Sequence, residues 1–246
     1  MIHRGRMTAA ALAAAWAVLV PCARAADQAP EAYDPGRVYA LVIGVDKYEH
    51  WTPLKCAAAD ARAVAGVFET YYRFGQVKLL LNEKATREGV LEALEGFTRL
   101  RQKDSLLIYY AGHGWQDENT GNGYWIPAEA RRGRQADYLS HGRILNDYFK
   151  KYRVRHLLVV ADSCFAGALW RGQWVEADTP RTTAGTAFGR PSRWLVASGR
   201  DHPVPDGAGD HSPFATRFCQ YLKHSENNVF TVTQLDAYLR RSLDGR

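Results

Sequence analysis

Three features of this sequence predict an α/β fold with a mostly parallel central sheet and helices on both faces. Short apolar runs alternate along the chain with segments whose apolar residues recur at helical spacing. Strands that alternate with helices imply crossover connections and hence parallel pairing. The chain has 246 residues, 46% of them hydrophobic, and shows no internal repeat, which is typical of one domain with a large core.

The predicted elements follow one another in a regular order. Strands are predicted at 37–45, 76–81, 105–110, 156–160 and 193–198. Helices are predicted at 56–72, at 86–100 with Thr86 as its start, near 143–152, at 213–223 and at 231–243. A Gly-rich polar loop is predicted after the third strand. The folded domain is therefore expected over residues 37–246.

The N-terminal segment has the pattern of an export signal. The cationic opening MIHRGRM is followed by 13 apolar residues, TAAALAAAWAVLV, and then by Ala23, Arg24 and Ala25, a small-x-small cleavage pattern. A membrane-spanning helix needs roughly 20 apolar residues, so a stable anchor is not expected. The pattern predicts a signal peptide at 1–25, a leader at 26–36, and export to the periplasm or the medium.

The charge of the chain gives no indication of nucleic-acid binding. The formal net charge is +6, but the signal segment carries three arginines and no acid, which leaves 29 basic against 26 acidic side chains. The basic clusters at 131–134 and 150–155 are short and are better explained as a solvated surface than as a nucleic-acid surface. No nucleic-acid partner is predicted.

The sequence leaves the pairing of the cysteines open. Signal cleavage would leave Cys56, Cys164 and Cys219, an odd number, so at least one thiol is expected to lack a partner within the chain. A bridge between Cys56 and Cys219 would satisfy the count, but the sequence does not select it.

Two reactive side chains follow two of the predicted strands. LLIYYAGHG at 106–114 places His113 where its apolar run stops, and LLVVADSCFAG at 157–167 does the same with Cys164. Ligands of open parallel sheets bind beyond the carboxyl ends of the strands, so neighbouring strands would bring imidazole and thiol together. Gly112 and Gly114 would let the backbone turn sharply and approach a substrate. Alone, such a His is usually a loop residue and such a Cys a small buried hydrophobe.

These blocks resemble the caspase-like cysteine peptidases, in particular the metacaspase and bacterial caspase-like branch. YYAGHG and DSCFAG are similar to the His and Cys blocks of that family, and their 51-residue separation is similar to the caspase spacing of about 50. RVYALVIGVDKY, LKCAAADA, GYWIPAEA, SRWLVASG and DHSPFA resemble further segments, so the likeness covers about residues 37–243. It implies a caspase-like fold and a caspase-like peptidase domain over 37–246.

The resemblance implies roles for individual residues. Cys164 would be the nucleophile and His113 the general acid and base, while the N–H groups of Gly114 and Cys164 would form an oxyanion hole. Such an enzyme acts on a protein or peptide substrate. No cofactor or metal is expected, because the sequence has neither a phosphate-binding loop nor a Cys/His ligand cluster.

The expected specificity differs from that of true caspases. Their Gln two residues before the nucleophile is replaced here by Asp162, and Asp60 aligns with an acidic pocket residue of metacaspases. Two carboxylates would favour Arg or Lys and repel Asp. Asp60 could instead only cap the first helix. Ser198 is a further candidate residue of the substrate cleft. The family often has Ser two residues before its His, whereas this chain has Ala111 at that position.

Two other functions remain open. A caspase-like scaffold without activity usually lacks the Cys or the His, and both are present here. A thiol transpeptidase would form the same acyl-enzyme and pass it to an amine.

Overall fold

The computed structural model describes residues 36–164, 191–198, 209–225 and 231–243. The predicted signal peptide and all of the leader except Gly36 lie outside these residues. The strands are β1 (Val38–Gly44), β2 (Phe74–Leu81), β3 (Ser105–Ala111), β4 (Gly114–Gln116), β5 (Gly123–Trp125), β6 (Leu139–Ser140), β7 (His156–Asp162) and β8 (Ser192–Ala197). The helices are α1 (Ala57–Tyr71), α2 (Arg87–Gly96), α3 (His141–Ile144), α4 (Pro213–His224) and α5 (Val232–Leu243).

The central sheet has five strands in the order β2–β1–β3–β7–β8, and every neighbouring pair is parallel. The three middle strands are almost fully buried, which is why their sequences are continuous apolar runs. All carboxyl ends therefore lie at one edge of the sheet. The predicted α/β fold with a mostly parallel sheet is confirmed.

Helices cover both faces of this sheet. Residues of β1 alternate between two apolar clusters, so that Leu41 and Ile43 face one side while Ala40 and Val42 face the other. The first cluster also contains apolar residues of α2 and of the π-helix Leu145–Phe149 that continues α3. The second contains residues of α1, α4 and α5.

Side-chain caps start the helices where the sequence has Ser or Thr. Thr86 accepts a hydrogen bond from the N–H of Gly89 and begins α2 as predicted. Ser212, which directly precedes Pro213, caps α4 in the same way: its hydroxyl accepts a hydrogen bond from the N–H of Ala215.

The segment predicted as a Gly-rich loop contains a second sheet, so the loop prediction was wrong there. β4, β5 and β6 form a three-stranded antiparallel sheet. Its strands have only two or three residues, too few for an alternating pattern to be recognised. Large aromatic residues pack this sheet, with Tyr124 and Tyr138 buried and Trp115 packed against them.

The helix predicted near 143–152 also differs from the structure. It begins at His141 and changes to π-helical hydrogen bonding from Leu145 to Phe149. The hydroxyl of Ser140 accepts from the N–H of Arg143 at 3.5 Å and marks the earlier start.

The possible bridge between Cys56 and Cys219 is not formed, and each is a buried thiol. Among the described helices, none is long and apolar enough to cross a membrane.

Candidate active site

The carboxyl ends of β3 and β7 bring His113 and Cys164 to the same edge of the sheet. The two strands are neighbours, and their last paired residues are Ala111 and Asp162. The pairing continues one step further, because the N–H of Gly112 donates to the carbonyl of Asp162 at 3.4 Å. His113 and Cys164 each lie two residues beyond the last pair of the ladder. The sequence predicted this juxtaposition on the condition that the strands are adjacent, and they are.

Close contacts require small residues on both sides of His113. A Cβ atom on Gly112 would lie 2.7 Å from the hydroxyl oxygen of Tyr48 and 2.9 Å from that of Tyr110. A Cβ atom on Gly114 would overlap the carbonyl oxygen of Cys164. The two glycines therefore allow the turn around the imidazole to pack against both phenols and against the cysteine backbone.

A main-chain carbonyl fixes the tautomer of His113. Its Nε2 lies 2.7 Å from the carbonyl oxygen of Thr52. Because a carbonyl oxygen can only accept, Nε2 carries the hydrogen, and in the neutral ring Nδ1 holds the lone pair. The imidazole is thereby set to take up a proton at Nδ1.

Two tyrosines hold the backbone of His113. The N–H of His113 donates to the hydroxyl of Tyr48 at 2.7 Å, and the hydroxyl of Tyr110 donates to the carbonyl of His113 at 2.8 Å. Burial raises the pKa of both phenols above their usual range, so that both stay protonated at neutral pH. The rings of Tyr48 and Trp51 also pack against the imidazole, with centroids 4.8 and 5.6 Å away.

Cys164 is the most accessible of the three described cysteines. It is partly exposed, whereas Cys56 and Cys219 are 1% and 8% exposed. The thiol of Cys56 donates to the carbonyl of Gly209 at 3.1 Å. Burial raises the pKa of Cys219 to about 11, which disfavours its thiolate.

Asp60 and Asp162, which the sequence predicts as a pair, are joined by Ser212. The hydroxyl of Ser212 donates to Oδ2 of Asp162 at 2.6 Å, and its N–H lies 3.2 and 3.3 Å from the two carboxylate oxygens of Asp60. Both carboxylates are more than nine-tenths buried. Asp60 stands in the first turn of α1 and Asp162 ends β7, so two elements supply one acidic cluster beside Cys164.

His211 forms the outer contact of this cluster. Its Nδ1 lies 2.7 Å from Oδ1 of Asp60, and its side chain is 42% exposed. Burial raises the pKa of Asp60, and the hydrogen bonds from His211 and Ser212 counteract this only in part. Asp60 thus takes part in a polar cluster and does not serve only as a helix cap.

Ser198 directly follows β8 at the same edge. Its N–H donates to the carbonyl of Ala161 at 3.0 Å, which places it next to the end of β7. Its hydroxyl oxygen is buried and has no hydrogen-bond partner among the described residues.

Sequence reasoning missed Thr52, Ser212 and His211. Thr52 contributes a main-chain oxygen, for which its side chain gives no signal. Ser212 could have been found as a helix cap, since a Ser before Pro at a helix start is a common pattern. Nothing in the sequence indicated that its hydroxyl also reaches Asp162.

Comparison with known proteins agrees with this architecture. A family model described as the caspase domain matches residues 37–245. The crystal structure of protein GSU0716 from Geobacter sulfurreducens superposes with a TM-score of 0.59 at 19% sequence identity, covering 85% of this chain and 89% of that chain. At that identity the likeness shows the fold alone. A comparison with curated protein sequences finds no match.

Proposed function

Because this chain belongs to the caspase-domain family, we propose that it is a cysteine endopeptidase that cleaves peptide bonds after Arg or Lys. The observation that supports this most directly is the arrangement at the edge of β3 and β7. His113 and Cys164 follow two neighbouring strands there, and Asp162, which shares Ser212 with Asp60, ends β7 two residues before Cys164. The proposed nucleophile, the proposed base and the carboxylate of Asp162 thus belong to the same edge of the sheet.

The proposed reaction begins with proton transfer from the thiol of Cys164 to Nδ1 of His113. The thiolate attacks the carbonyl carbon of the substrate, and the resulting imidazolium returns the proton to the leaving amine. A thioester forms, and water then attacks it with His113 again as base, which releases the acid product and regenerates the thiol. The carbonyl of Thr52, at 2.7 Å from Nε2, stabilises the imidazolium and keeps the ring oriented.

The tetrahedral intermediate carries an oxyanion that needs preorganised donors. The N–H groups of Gly114 and Cys164 are the proposed donors, and the tight packing of Gly114 on the backbone of Cys164 supports their proximity. Removing one such donor typically costs about 3 kcal/mol of transition-state stabilisation.

The buried carboxylates support the proposed preference for basic residues. A guanidinium is planar and donates best to paired acceptors, so two carboxylates around one serine suit Arg particularly well. An Asp side chain at the same place would bring a third negative charge into a desolvated cluster. Like charges in such surroundings cost several kcal/mol, which suppresses cleavage by orders of magnitude.

Peptide cleavage assays test this function. Fluorogenic peptides that differ only in Arg, Lys or Asp before the cleaved bond are incubated with the wild type, Cys164→Ala, His113→Ala and Asp162→Asn. We expect cleavage after Arg and Lys by the wild type, none by the first two variants, and at least a tenfold loss with Asp162→Asn. Asp236→Asn, on the exposed face of α5, is the matched control and should keep wild-type rates.

The same assay separates the other two functions. A scaffold would show no cleavage that depends on Cys164, whereas a transpeptidase would transfer the acyl group to an added amine in preference to water. Efficient cleavage after Asp would contradict the proposed specificity but not the proposed catalytic roles of Cys164 and His113.

Export remains part of the proposal. The N-terminal pattern supports cleavage after Ala25. N-terminal sequencing of the protein recovered from the periplasm or medium of an expressing bacterium would then start at Ala26, and recovery of an intact N-terminus from the cytoplasm would contradict it.

A further inference from the structure

An open cleft lies next to His113, outside the acidic cluster. Its walls are formed by Trp51, Trp115, Arg132, Gly133, Gln135 and Tyr138, and we refer to it as the aromatic cleft. It encloses about 630 Å³, enough for a large side chain and part of its backbone. Three of the six lining residues are aromatic, so the cleft offers mainly ring faces and edges.

Contacts among the lining residues hold these walls in place. Tyr138 packs edge-on against both Trp51 and Trp115, with ring centroids 5.7 and 5.6 Å apart. Its hydroxyl accepts from the N–H of Gly133 at 2.9 Å. The guanidinium of Arg132 lies 5.1 Å from the ring centre of Trp51 and donates to the hydroxyl of Thr52 at 3.0 Å. A cleft whose walls already contact one another needs little reorganisation to bind a ligand.

The cleft and His113 share a wall. The ring of Trp51 lines the cleft and also packs on the imidazole at 5.6 Å. Thr52, which Arg132 contacts through its hydroxyl, presents its carbonyl to Nε2 of His113. Trp115 follows His113 by two residues, in β4. The aromatic cleft is therefore on the side of His113, whereas the acidic cluster is built by α1, β7 and the start of α4.

We propose that the aromatic cleft binds the side chain of the substrate residue directly after the cleaved bond, and that it prefers an aromatic side chain. This inference rests on the proposed peptidase function, in which His113 delivers a proton to the leaving amine. The residue that carries this amine must leave along the side of His113, where the cleft begins. Ring edges and faces of Trp51, Trp115 and Tyr138 suit an aromatic ring, which pairs edge-to-face or offset with such neighbours.

The charge of the cleft argues against a basic side chain in the same position. Arg131 and Arg134 both pair with Asp137, whereas the partners of Arg132 are an indole ring and a hydroxyl. No carboxylate of the described residues pairs with Arg132, so its positive charge would repel an incoming Lys. For the residue after the cleaved bond, we therefore expect cleavage to be fastest with Phe or Trp, slower with Ala and slowest with Lys.

Internally quenched peptides test the order. They carry the same Arg before the cleaved bond and Phe, Trp, Ala or Lys after it, and kcat/KM is measured for each. We expect the Phe peptide to be cleaved at least tenfold faster than the Ala peptide, as is typical for a filled apolar pocket, and the Lys peptide to be the slowest.

Two variants test whether the aromatic cleft causes this preference for the residue after the cleaved bond. Trp115→Ala should bring the ratio of Phe to Ala cleavage close to one, and Arg132→Gln should raise the rate of the Lys peptide relative to Ala. Arg132 is exposed, so if Trp115→Ala does not fold, Arg132→Gln still tests whether the aromatic cleft receives the residue after the cleaved bond. Tyr71→Ala removes an exposed aromatic ring at the far end of α1 and should leave all ratios unchanged.

The outcomes separate this inference from the function on which it rests. No cleavage that depends on Cys164 with any peptide would overturn both. Cleavage after Arg at equal rates for Phe, Ala and Lys would overturn only the inference. It would also be overturned if the wild-type preference persisted unchanged in both Trp115→Ala and Arg132→Gln.

Discussion

Gly114 lies so close to Cys164 that a Cβ atom added to the glycine would overlap the carbonyl oxygen of the cysteine. The contact joins the turn that follows β3 to the turn that follows β7. The two segments that supply the proposed base, nucleophile and oxyanion donors therefore approach each other closely through main-chain atoms.

The first prediction is that Gly114→Ala nearly abolishes peptidase activity while the protein stays folded. The added methyl group must push the two turns apart, and a displacement of about 1 Å can cost on the order of a hundredfold in rate. Gly66→Ala is the control, because nothing lies within 4 Å of a Cβ atom at Gly66. That change should leave activity unaltered and stabilise α1 by about 0.5 to 1 kcal/mol. Rates near wild type for Gly114→Ala, with an unchanged circular dichroism spectrum, would contradict the tight contact.

The second prediction concerns thiol reactivity. Iodoacetamide should modify Cys164 well before Cys56 and Cys219, because Cys164 is partly exposed, both other thiols are buried, and burial also raises the pKa of Cys219 to about 11. Mass spectrometry of peptides from protein sampled over a time course measures the three rates. In urea the three rates should converge, which provides the control. Equal rates in the native protein would show that the burial of Cys56 and Cys219 does not protect them.

The third prediction is that Ser212→Ala affects stability and specificity together. Loss of the cap of α4 should lower the free energy of unfolding by about 1 kcal/mol. Loss of the donor to Asp162 should also reduce kcat/KM for Arg peptides by tenfold or more, because that carboxylate loses a short hydrogen bond that helps to orient it.

Thr86→Ala is the matched control for this change. It removes the equivalent cap from α2, which packs on the other face of the sheet. A similar loss of stability with unchanged cleavage of Arg peptides is expected. Equal activity losses in both variants would show that the effect of Ser212 acts through stability alone.

The fourth prediction is that His141 makes the fold sensitive to acid. The ring is 2% exposed, lies edge-on to Trp125 at 5.8 Å, and has no hydrogen-bond partner among the described residues at either nitrogen. Burial lowers the pKa of His141 to about 3. In the unfolded chain a His titrates near pH 6.5. Between these values only the unfolded chain gains the proton, so stability falls as the pH drops below about 6.5.

Urea unfolding at several pH values measures this effect. In the Cys164→Ala background, which lacks the proposed nucleophile, the contribution of His141 to the free energy of unfolding should decline by about 1.4 kcal/mol per pH unit below pH 6.5. His141→Gln should flatten the pH dependence by that amount. His224→Gln, at an exposed position, should not. An identical slope for wild type and His141→Gln would sink the prediction.

The sequence predicts the central sheet and the positions of His113 and Cys164 because both depend on patterns along the chain. Long apolar runs mark buried parallel strands, and a reactive residue after such a run must lie at the carboxyl edge. The carbonyl of Thr52 escapes prediction because every residue has one and only the path of the loop decides which is used. The double role of Ser212 could not be predicted because its partners are distant in sequence: Asp162 lies 50 positions away and Asp60 lies 152 positions away. The antiparallel strands β4, β5 and β6 could not be predicted because each is too short to show the alternation of apolar and polar residues that marks a strand.

The hydrogen bond from His113 to the carbonyl of Thr52 has a consequence for how this site tolerates mutation. Where a side chain orients a histidine, a single substitution removes the partner. Here the acceptor belongs to the peptide backbone, so any residue at position 52 provides it. Substitutions should instead be harmful at residues that fix the path of this backbone segment relative to His113. Tyr48 does so by accepting the N–H of His113, and Trp51 does so by packing its ring on the imidazole. Random mutagenesis scored for activity should therefore find position 52 permissive and positions 48 and 51 restricted.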